Sequence, residues 1–424
     1  MSWFKKLFGF DEFIDTTENY QKTKINFSVN KNVLTSKITN KKYNIGTFDN
    51  KSIENLKKIV NNLDNNNPGN PTFKCKIVGD IFLVHSKEEN KGALFQCASQ
   101  FNCLEFSSET VIPENGITNY VYDKTQGPAC SLATAPGAVY RNYFCDVKTI
   151  DGKIQQGQTK DCQINNLIDI QTYLKKVYGS EFITVKNGYT ESSVKNLTEL
   201  NKHLVNNKEL KNILINKLKV GVHSDLEVVF KNKWEILNKP DFLVTQVYTS
   251  ALSIGYSNIW EPEAWYPLAE IILNATYEAI IYLGIINFKK TNNPKIYLTL
   301  IGDGVFQNPS KLICKAIKRA IKIAEKQQYP LEIICCFYNE YSKNQYKELW
   351  NTDKKKQRKN KIIIFNLLNF ISSCKFIFHC CRCPFLFHCC RCPFLFHCRC
   401  PFLFHCCRCP FLFHCFRCPF LFHY

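Results

Sequence analysis

The chain has 424 residues, 45% of them hydrophobic and 14% aromatic, and carries a formal net charge of +19. That is enough apolar material for a sizeable core, and the length allows two domains or one enlarged by insertions. The charge is uneven: Lys354, Lys355, Lys356, Arg358 and Lys359 supply +5, the segment from Lys361 onward +7 without an acid, and the first 353 residues +7. A surplus placed this way reads as a solvated linker and a biased tail, so no specific nucleic acid is expected as a partner. Fourteen of the 23 cysteines lie in the tail, and the other nine show no framework spacing. The start, Met1 to Phe10, is too short and too soon charged for a secretory signal. A reduced cytoplasmic setting, with the nucleus as an alternative, is therefore expected, with the nine cysteines as small core residues.

In chain order, residues 1–72 are polar and form an N-terminal extension expected to pack on the core. Ile53, Leu56, Ile59, Val60 and Leu63 have helical spacing. Asn65 to Pro71 breaks it. Phe73 to Val84 and Ala93 to Cys97 read as strands, and Thr125 to Tyr143 as a tightly packed, small-residue helix. Residues 146–240 are mixed and polar, with charged helical stretches at 193–217, and look like an insertion. Phe242 to Tyr248 is a strand. Pro262 and Pro267 open a long helix to about Ile286. Ile296 to Ile301 and Leu331 to Phe337 are short apolar runs of the kind buried in α/β sheets. Between them, Asn308 and Pro309 suit the start of a helix whose apolar face includes Leu312, Ile313, Ala316, Ile317, Ala320, Ile321 and Ala324. Tyr341 to Trp350 closes the body. Strand and helix alternating in this order predict an α/β fold: a three-layer α/β/α sandwich around a mixed, mostly parallel sheet.

A basic linker, 346–360, leads to a tail, 361–424, in which Cys-Arg-Cys-Pro-Phe-Leu-Phe-His repeats with a near nine-residue period. Thiolates and imidazoles suit zinc or copper, but Cys381, Cys383 and His388 lack finger spacing, and no metal or cofactor is assigned. The run Ile362 to Phe378 is short for a membrane span and is interrupted by Asn366, Asn369 and Lys375, so a membrane is not expected as a partner. The tail has no hydrophobic period and is expected to be disordered.

The clearest site signal is Gly302-Asp303-Gly304-Val305-Phe306. A buried strand ends, two glycines come next, and a helix starts, which brings loop and helix amides toward a phosphate or diphosphate. This loop is similar to the Ser-Thr-Gly-Val-Phe-type loop of macro domains. Ile333 to Tyr341 looks like that family's last strand and acidic exit. Val78-Gly79-Asp80-Ile81 resembles its Gly-Asp-Ile motif, and Leu94 to Asn102 stands where the family has an Asn-Ala-Ala-Asn strand end. Thr125 to Asn142, with Gly127, takes the place of its glycine-rich loop and helix. The usual triple glycine is absent, so the resemblance is to a divergent macro-like group over residues 73–345, excluding the insertion. It implies ADP-ribose or an ADP-ribosylated protein as partner. Asp80 and Ile81 would lie at adenine, Asn102 at the distal ribose, and Gly127, Gly302, Asp303, Gly304, Val305 and Phe306 along the diphosphate.

Three functions are open on these residues. One is hydrolysis of an ADP-ribose linkage, with Asn102 and Asp123 as candidate catalytic groups. The second is a non-catalytic reader using the same cleft. The third is a thiol hydrolase in which Cys130, at a helix start, is activated by His85, His203 or His223. Oligomeric state is not legible in the sequence.

Overall fold

Seven short extended runs form one sheet in the computed structural model, which describes residues 1–352 except 67, 150, 232 and 233. The repeat tail and most of the basic linker lie outside the described residues. The strands are β1 Thr47–Ser52, β2 Thr72–Ile77, β3 Leu94–Ala98, β4 Lys219–Glu227, β5 Leu243–Thr249, β6 Lys295–Leu298 and β7 Glu332–Phe337. Their spatial order is β1-β4-β5-β3-β6-β7-β2. From β5 to β2 all neighbours are parallel, while β4 runs antiparallel to both β1 and β5. The sheet is thus mixed and mostly parallel.

Successive strand residues face opposite sides, and here both sides are covered. Leu94, Val247, Ile296 and Ile333 meet helices α1 Ile53–Asn61, α4 Val194–Leu204, α5 Lys208–Lys217, α6 Tyr266–Thr291 and α7 Ser310–Gln327. Phe95, Tyr248, Tyr297 and Ile334 meet the short helix Ile81–His85 together with α2 Gln126–Ala133 and α3 Ala135–Tyr143. Burial on both faces is why these strands read as continuous apolar runs.

Helix α6 is buried along most of its length. The stretch Pro262–Thr291 is long and apolar enough to cross a membrane, but here it is a core helix. Each fully buried Ile or Leu on it contributes roughly 1.5–3 kcal/mol. Its one buried acid, Glu278, is held by Lys57 of α1 at 2.9 Å and Arg319 of α7 at 2.5 Å. The N-terminal helix Trp3–Phe8 joins Phe27, Leu34 and Tyr43 in an aromatic cluster that also contains Leu132 of α2 and Ala138 and Tyr143 of α3.

Four stretches differ from the sequence reading. Residues 1–72 do more than pack on the core, since they supply edge strand β1 and helix α1. The segment 146–240 is not all insertion, since β4 sits inside the sheet. Its polar residues Lys219, His223, Ser224, Asp225 and Glu227 disguise a strand that is apolar at Val220, Val222 and Leu226. The run Phe73 to Val84 is not one strand: it turns at Gly79, and Asp80 caps a helix by accepting from the Phe82 amide at 2.9 Å. Thr125 to Tyr143 likewise breaks into two helices at Thr134, whose hydroxyl donates to Gln246 at 2.8 Å.

The last residue of β4 carries a pH signature. Glu227 is 5% exposed and accepts from the Asn44 amide at 2.7 Å. Burial pushes its carboxyl up to about 7. Between the ordinary value, 4.5, and about 7 the folded protein holds a proton that the unfolded chain has released. Stability from this residue is therefore present at low pH and lost as pH rises through that window. Urea unfolding of Glu227→Gln should show it more stable than wild type at pH 8, with the gap shrinking at pH 5. An equal gap at both would contradict the assignment.

Candidate functional site

The site begins where two strands part. β3 and β6 pair only at Leu94 with Ile296 and Phe95 with Tyr297. Even-numbered residues of β3 face β6, so beyond Phe95 the Gln96 carbonyl and the Ala98 amide have no strand to meet. The side chain of Gln126, at the start of α2, takes that place. Its Oε1 accepts from the Ala98 amide at 2.7 Å, and its Nε2 donates to the Gln96 carbonyl at 2.8 Å. The next residue must be glycine: a Cβ on Gly127 would lie 1.7 Å from the Ala98 carbonyl oxygen. The carboxyl ends of β3 and β6 thus lie at the edge where α/β sheets present ligands.

The loop that leaves β6 begins at this edge. Gly302 (φ +80°) and Gly304 (φ +66°) are both left-handed, for different reasons. A Cβ on Gly302 would meet the Ala251 Cβ at 2.5 Å and Asn308 Nδ2 at 2.8 Å, whereas one on Gly304 would meet nothing within 4 Å. Gly302 is a packing glycine and Gly304 faces open space. Asn308 is not the cap expected for α7. Pro309 occupies that position with no side-chain bond, and the Asn308 amide instead donates to Leu252 O at 2.7 Å and Phe306 O at 3.2 Å, pinning the loop. Burial pushes the Asp303 carboxyl up, and it faces Gln345 at 3.5 Å. Asp303, Gly304, Pro309, Ser310, Tyr338 and Tyr341 border an open hollow of about 520 Å3. Phe306 turns the other way, its ring 5.8 Å from Tyr256 and 5.6 Å from Tyr189.

Asp80 stands half-buried at the carboxyl end of β2, two strands beyond β6. Ile81, buried behind it, packs in the same cluster as Cys130 of α2. The helix they begin ends at His85, which is fully buried and stacked on Phe95 at 3.8 Å. Burial holds its imidazole down to about 4. The neutral ring meets the Ile81 carbonyl through Nδ1 at 2.8 Å and the Gln246 amide through Nε2 at 3.0 Å, so Nδ1 donates and Nε2 accepts. Gln246 also donates to the Cys130 carbonyl at 2.8 Å. One amide thus ties the Asp80 helix, the central strand β5 and α2 together.

The two candidate catalytic groups lie in different settings. Asn102 is fully buried. Its Nδ2 donates to Gln163 at 2.8 Å and its Oδ1 accepts from the Leu104 amide at 3.0 Å, so both ends of the amide are engaged inside the protein, under residues of the 146–240 segment. Asp123 lies at an open hollow of about 680 Å3 with Ser107, Asn119, Tyr122 and Lys124. Ser107 on the same rim accepts from the Tyr256 hydroxyl at 3.3 Å. The strand ends therefore bring Asp80, Ile81, Gly127 and Gly302 to Phe306 to one edge of the sheet, with Asp123 at a separate hollow and Asn102 turned inward.

The thiol route does not stand. Cys130 is fully buried, and burial pushes its thiol well up, the reverse of an activated nucleophile. His85 and His223 are committed to backbone carbonyls at 2.8 and 2.7 Å, and His203 stacks on Tyr178. What the sequence did not single out is the buried polar network that supports α2. Glu105 and Arg141 form a fully buried pair at 3.3 Å. Ser131 of α2 donates to Glu105 at 2.6 Å and accepts from Arg141 at 2.7 Å. The guanidinium lies 3.7 Å over the Tyr248 ring. Removing one member would strand a buried charge at a cost of about 3–5 kcal/mol.

No family model and no curated protein matches the sequence. Among solved structures, the chain is similar to poly(ADP-ribose) glycohydrolase from Deinococcus radiodurans in complex with ADP-ribose, at 8% identity, over 73% of this chain and 94% of that one, with a TM-score of 0.37. It is similar to the glycohydrolase of Thermomonospora curvata at 8% identity, over 75% and 93%, with a TM-score of 0.39. It is also similar to the Oceanobacillus iheyensis macrodomain with MES bound, at 12% identity, over 73% and 100%, with a TM-score of 0.30.

The contrast among the three glycines gives a direct check. Gly127→Ala and Gly302→Ala should each lower stability by about 2–3 kcal/mol through overpacking. Gly304→Ala should cost only the left-handed backbone penalty, about 1 kcal/mol. Urea midpoints of the three variants measure this, and an equal loss in all three would contradict the packing described.

Proposed function

We propose that the protein binds ADP-ribose, free or attached to a protein, along the carboxyl ends of its parallel strands. The observation that carries this is the glycine loop after β6, open at Gly304 and bordering the hollow that Pro309, Ser310 and Tyr338 also line. In this reading the backbone of Gly304 to Phe306 and the start of α7, which no side chain caps, hold the diphosphate: first-turn amides and the helix dipole favour an anion there. Asp80 accepts from the amino group of the purine, a contact suited to a carboxylate acceptor. Gly127 and the end of β3 border the distal ribose. Asn102 shapes that end from behind, since its amide is occupied. The motif resemblance across Asp80, Gly127 and Gly302 to Phe306 supports the choice of ADP-ribose over another nucleotide.

Hydrolysis is the second reading, favoured by Asp123 at an open hollow whose rim residue Ser107 accepts from the Tyr256 hydroxyl. A carboxylate there would orient a water toward a ribose held near Phe306.

Calorimetry on the full chain tests the binding. ADP-ribose should bind with one-to-one stoichiometry. Asp80→Ala should weaken it roughly ten- to hundredfold, the range for a charged hydrogen bond of about 1.5–3 kcal/mol. Gly304→Glu, which sets a carboxylate against the diphosphate without a packing clash, should abolish it. Wild-type affinity in both variants would remove the proposal. Release of free ADP-ribose from a modified protein, lost in Asp123→Ala, separates the hydrolase from the reader.

A further inference from the structure

A hairpin closes over the residues that follow β3. Thr184–Lys186 pairs antiparallel with Tyr189–Glu191. Its turn is Asn187-Gly188, with φ of +48° and +79°, the two-residue turn whose twist matches its strands. The turn lies directly on the chain leaving β3: a Cβ on Gly188 would be 2.6 Å from the Gln100 Cβ and 2.8 Å from the Asn102 Cγ. The Gly188 carbonyl accepts from the Phe101 amide at 3.1 Å. A relay of side-chain amides fastens the turn. Asn102 Nδ2 donates to Gln163, Gln163 Nε2 donates to Asn187 Oδ1, both at 2.8 Å, and Asn187 Nδ2 donates to the Glu109 carbonyl at 2.7 Å. The other strand of the hairpin is held beyond β5, where the Thr190 amide donates to the Ser253 hydroxyl at 2.8 Å and the Ser253 amide to the Thr190 hydroxyl at 3.0 Å. The Tyr189 ring stands 5.6 Å from Phe306, in the loop after β6. One hairpin thus joins the end of β3, the end of β5 and the glycine loop.

Beneath it, the polar groups that follow β3 are engaged one after another. The Ser99 amide donates to the Thr249 carbonyl at 2.9 Å and the Gln100 amide to the Leu104 carbonyl at 3.2 Å. The Ser99 hydroxyl donates to the same Leu104 carbonyl. The Gln100 side chain donates to the Phe106 carbonyl at 3.0 Å and accepts from the Phe106 amide at 3.1 Å. With the Ala98 amide on Gln126 and both ends of the Asn102 amide occupied, a sugar hydroxyl arriving here would break one hydrogen bond to make another. Such an exchange yields little net free energy.

We propose that this hairpin sets the specificity of the site by withholding the end of β3 from the distal sugar. The ligand is then read through its adenosine and diphosphate, and the class that binds is adenosine diphosphate sugars, whatever the sugar. This rests on the ADP-ribose reading above and adds which part of the ligand is recognised. Gln163 and Asn187 are the positioning residues, since they hold Asn102 and the turn together.

The experiment titrates the full chain with ADP-ribose and with ADP-glucose, which keeps the adenosine and the charged diphosphate and changes only the sugar beyond it. The two should bind within about threefold of each other. Gln163→Ala removes the acceptor of the Asn102 amide, and Asn187→Gly removes both side-chain bonds of the turn while keeping a residue suited to positive φ. Each should bind ADP-ribose about fivefold tighter than wild type does, the worth of one hydrogen bond from the freed Asn102, with ADP-glucose unchanged. The constant affinity for ADP-glucose reports that the rest of the site is intact. A wild-type preference for either sugar beyond about threefold overturns the proposal and leaves the ADP-ribose reading standing. So does the absence of a gain in both variants, or a loss of both ligands, which would make the hairpin a support of the site. Failure of the wild-type chain to bind either ligand removes both readings.

Discussion

The structure turns on the hydrogen bonds that Gln126 makes to the end of β3. Parallel neighbours normally satisfy each other along their whole length, and a strand that leaves early exposes amides and carbonyls that must find partners. Here β6 leaves β3 after two paired residues, and one side-chain amide replaces it. That substitution lets the two strands part at the sheet's carboxyl edge without orphaned backbone groups. It also fixes where α2 begins, and so why a glycine comes directly after Gln126: no side chain fits against the Ala98 carbonyl.

The remaining polar core holds this arrangement in place. Gln246 joins β5 to the Asp80 helix and to α2, and Glu105 with Arg141 and Ser131 anchors α2 from below. Such a network is costly when partly satisfied and rigid when complete. It sits on the face that carries the candidate site, while the opposite face is packed almost entirely with aliphatic side chains of α1, α4, α5, α6 and α7. The division is physical: one face supplies burial, the other positions groups at the strand ends.

Much of the fold was legible because its signals are local. The spacing of Ile53, Leu56 and Val60, the apolar face of α7, and the runs that became β3, β5, β6 and β7 each arise from burial on one stripe or on two faces. The loop at Gly302 was legible for the same reason, as glycines between a buried strand and a helix. What stayed hidden depends on distant partners. β4 reads as polar because its partners come from residues 47–52 and 243–248. Asn102 at a strand end reads alike whether it faces a ligand or is closed over, and what closes it, Gln163, lies in the segment that reads as an insertion. Cys130 at a helix start reads as an activated thiol until its burial is known. The two roles of Gly302 and Gly304 cannot be told apart without Ala251 and Asn308.

The central claim is that the loop after β6 and the Asp80 turn after β2 border one groove that takes one ligand. Backbone amide shifts in an NMR titration with ADP-ribose test it most directly. Both Val78 to Phe82 and Ile301 to Ser310 should move with a single dissociation constant, together with Gln126 and Gly127. Shifts confined to one of these segments, or clustered on the aliphatic face, would contradict it.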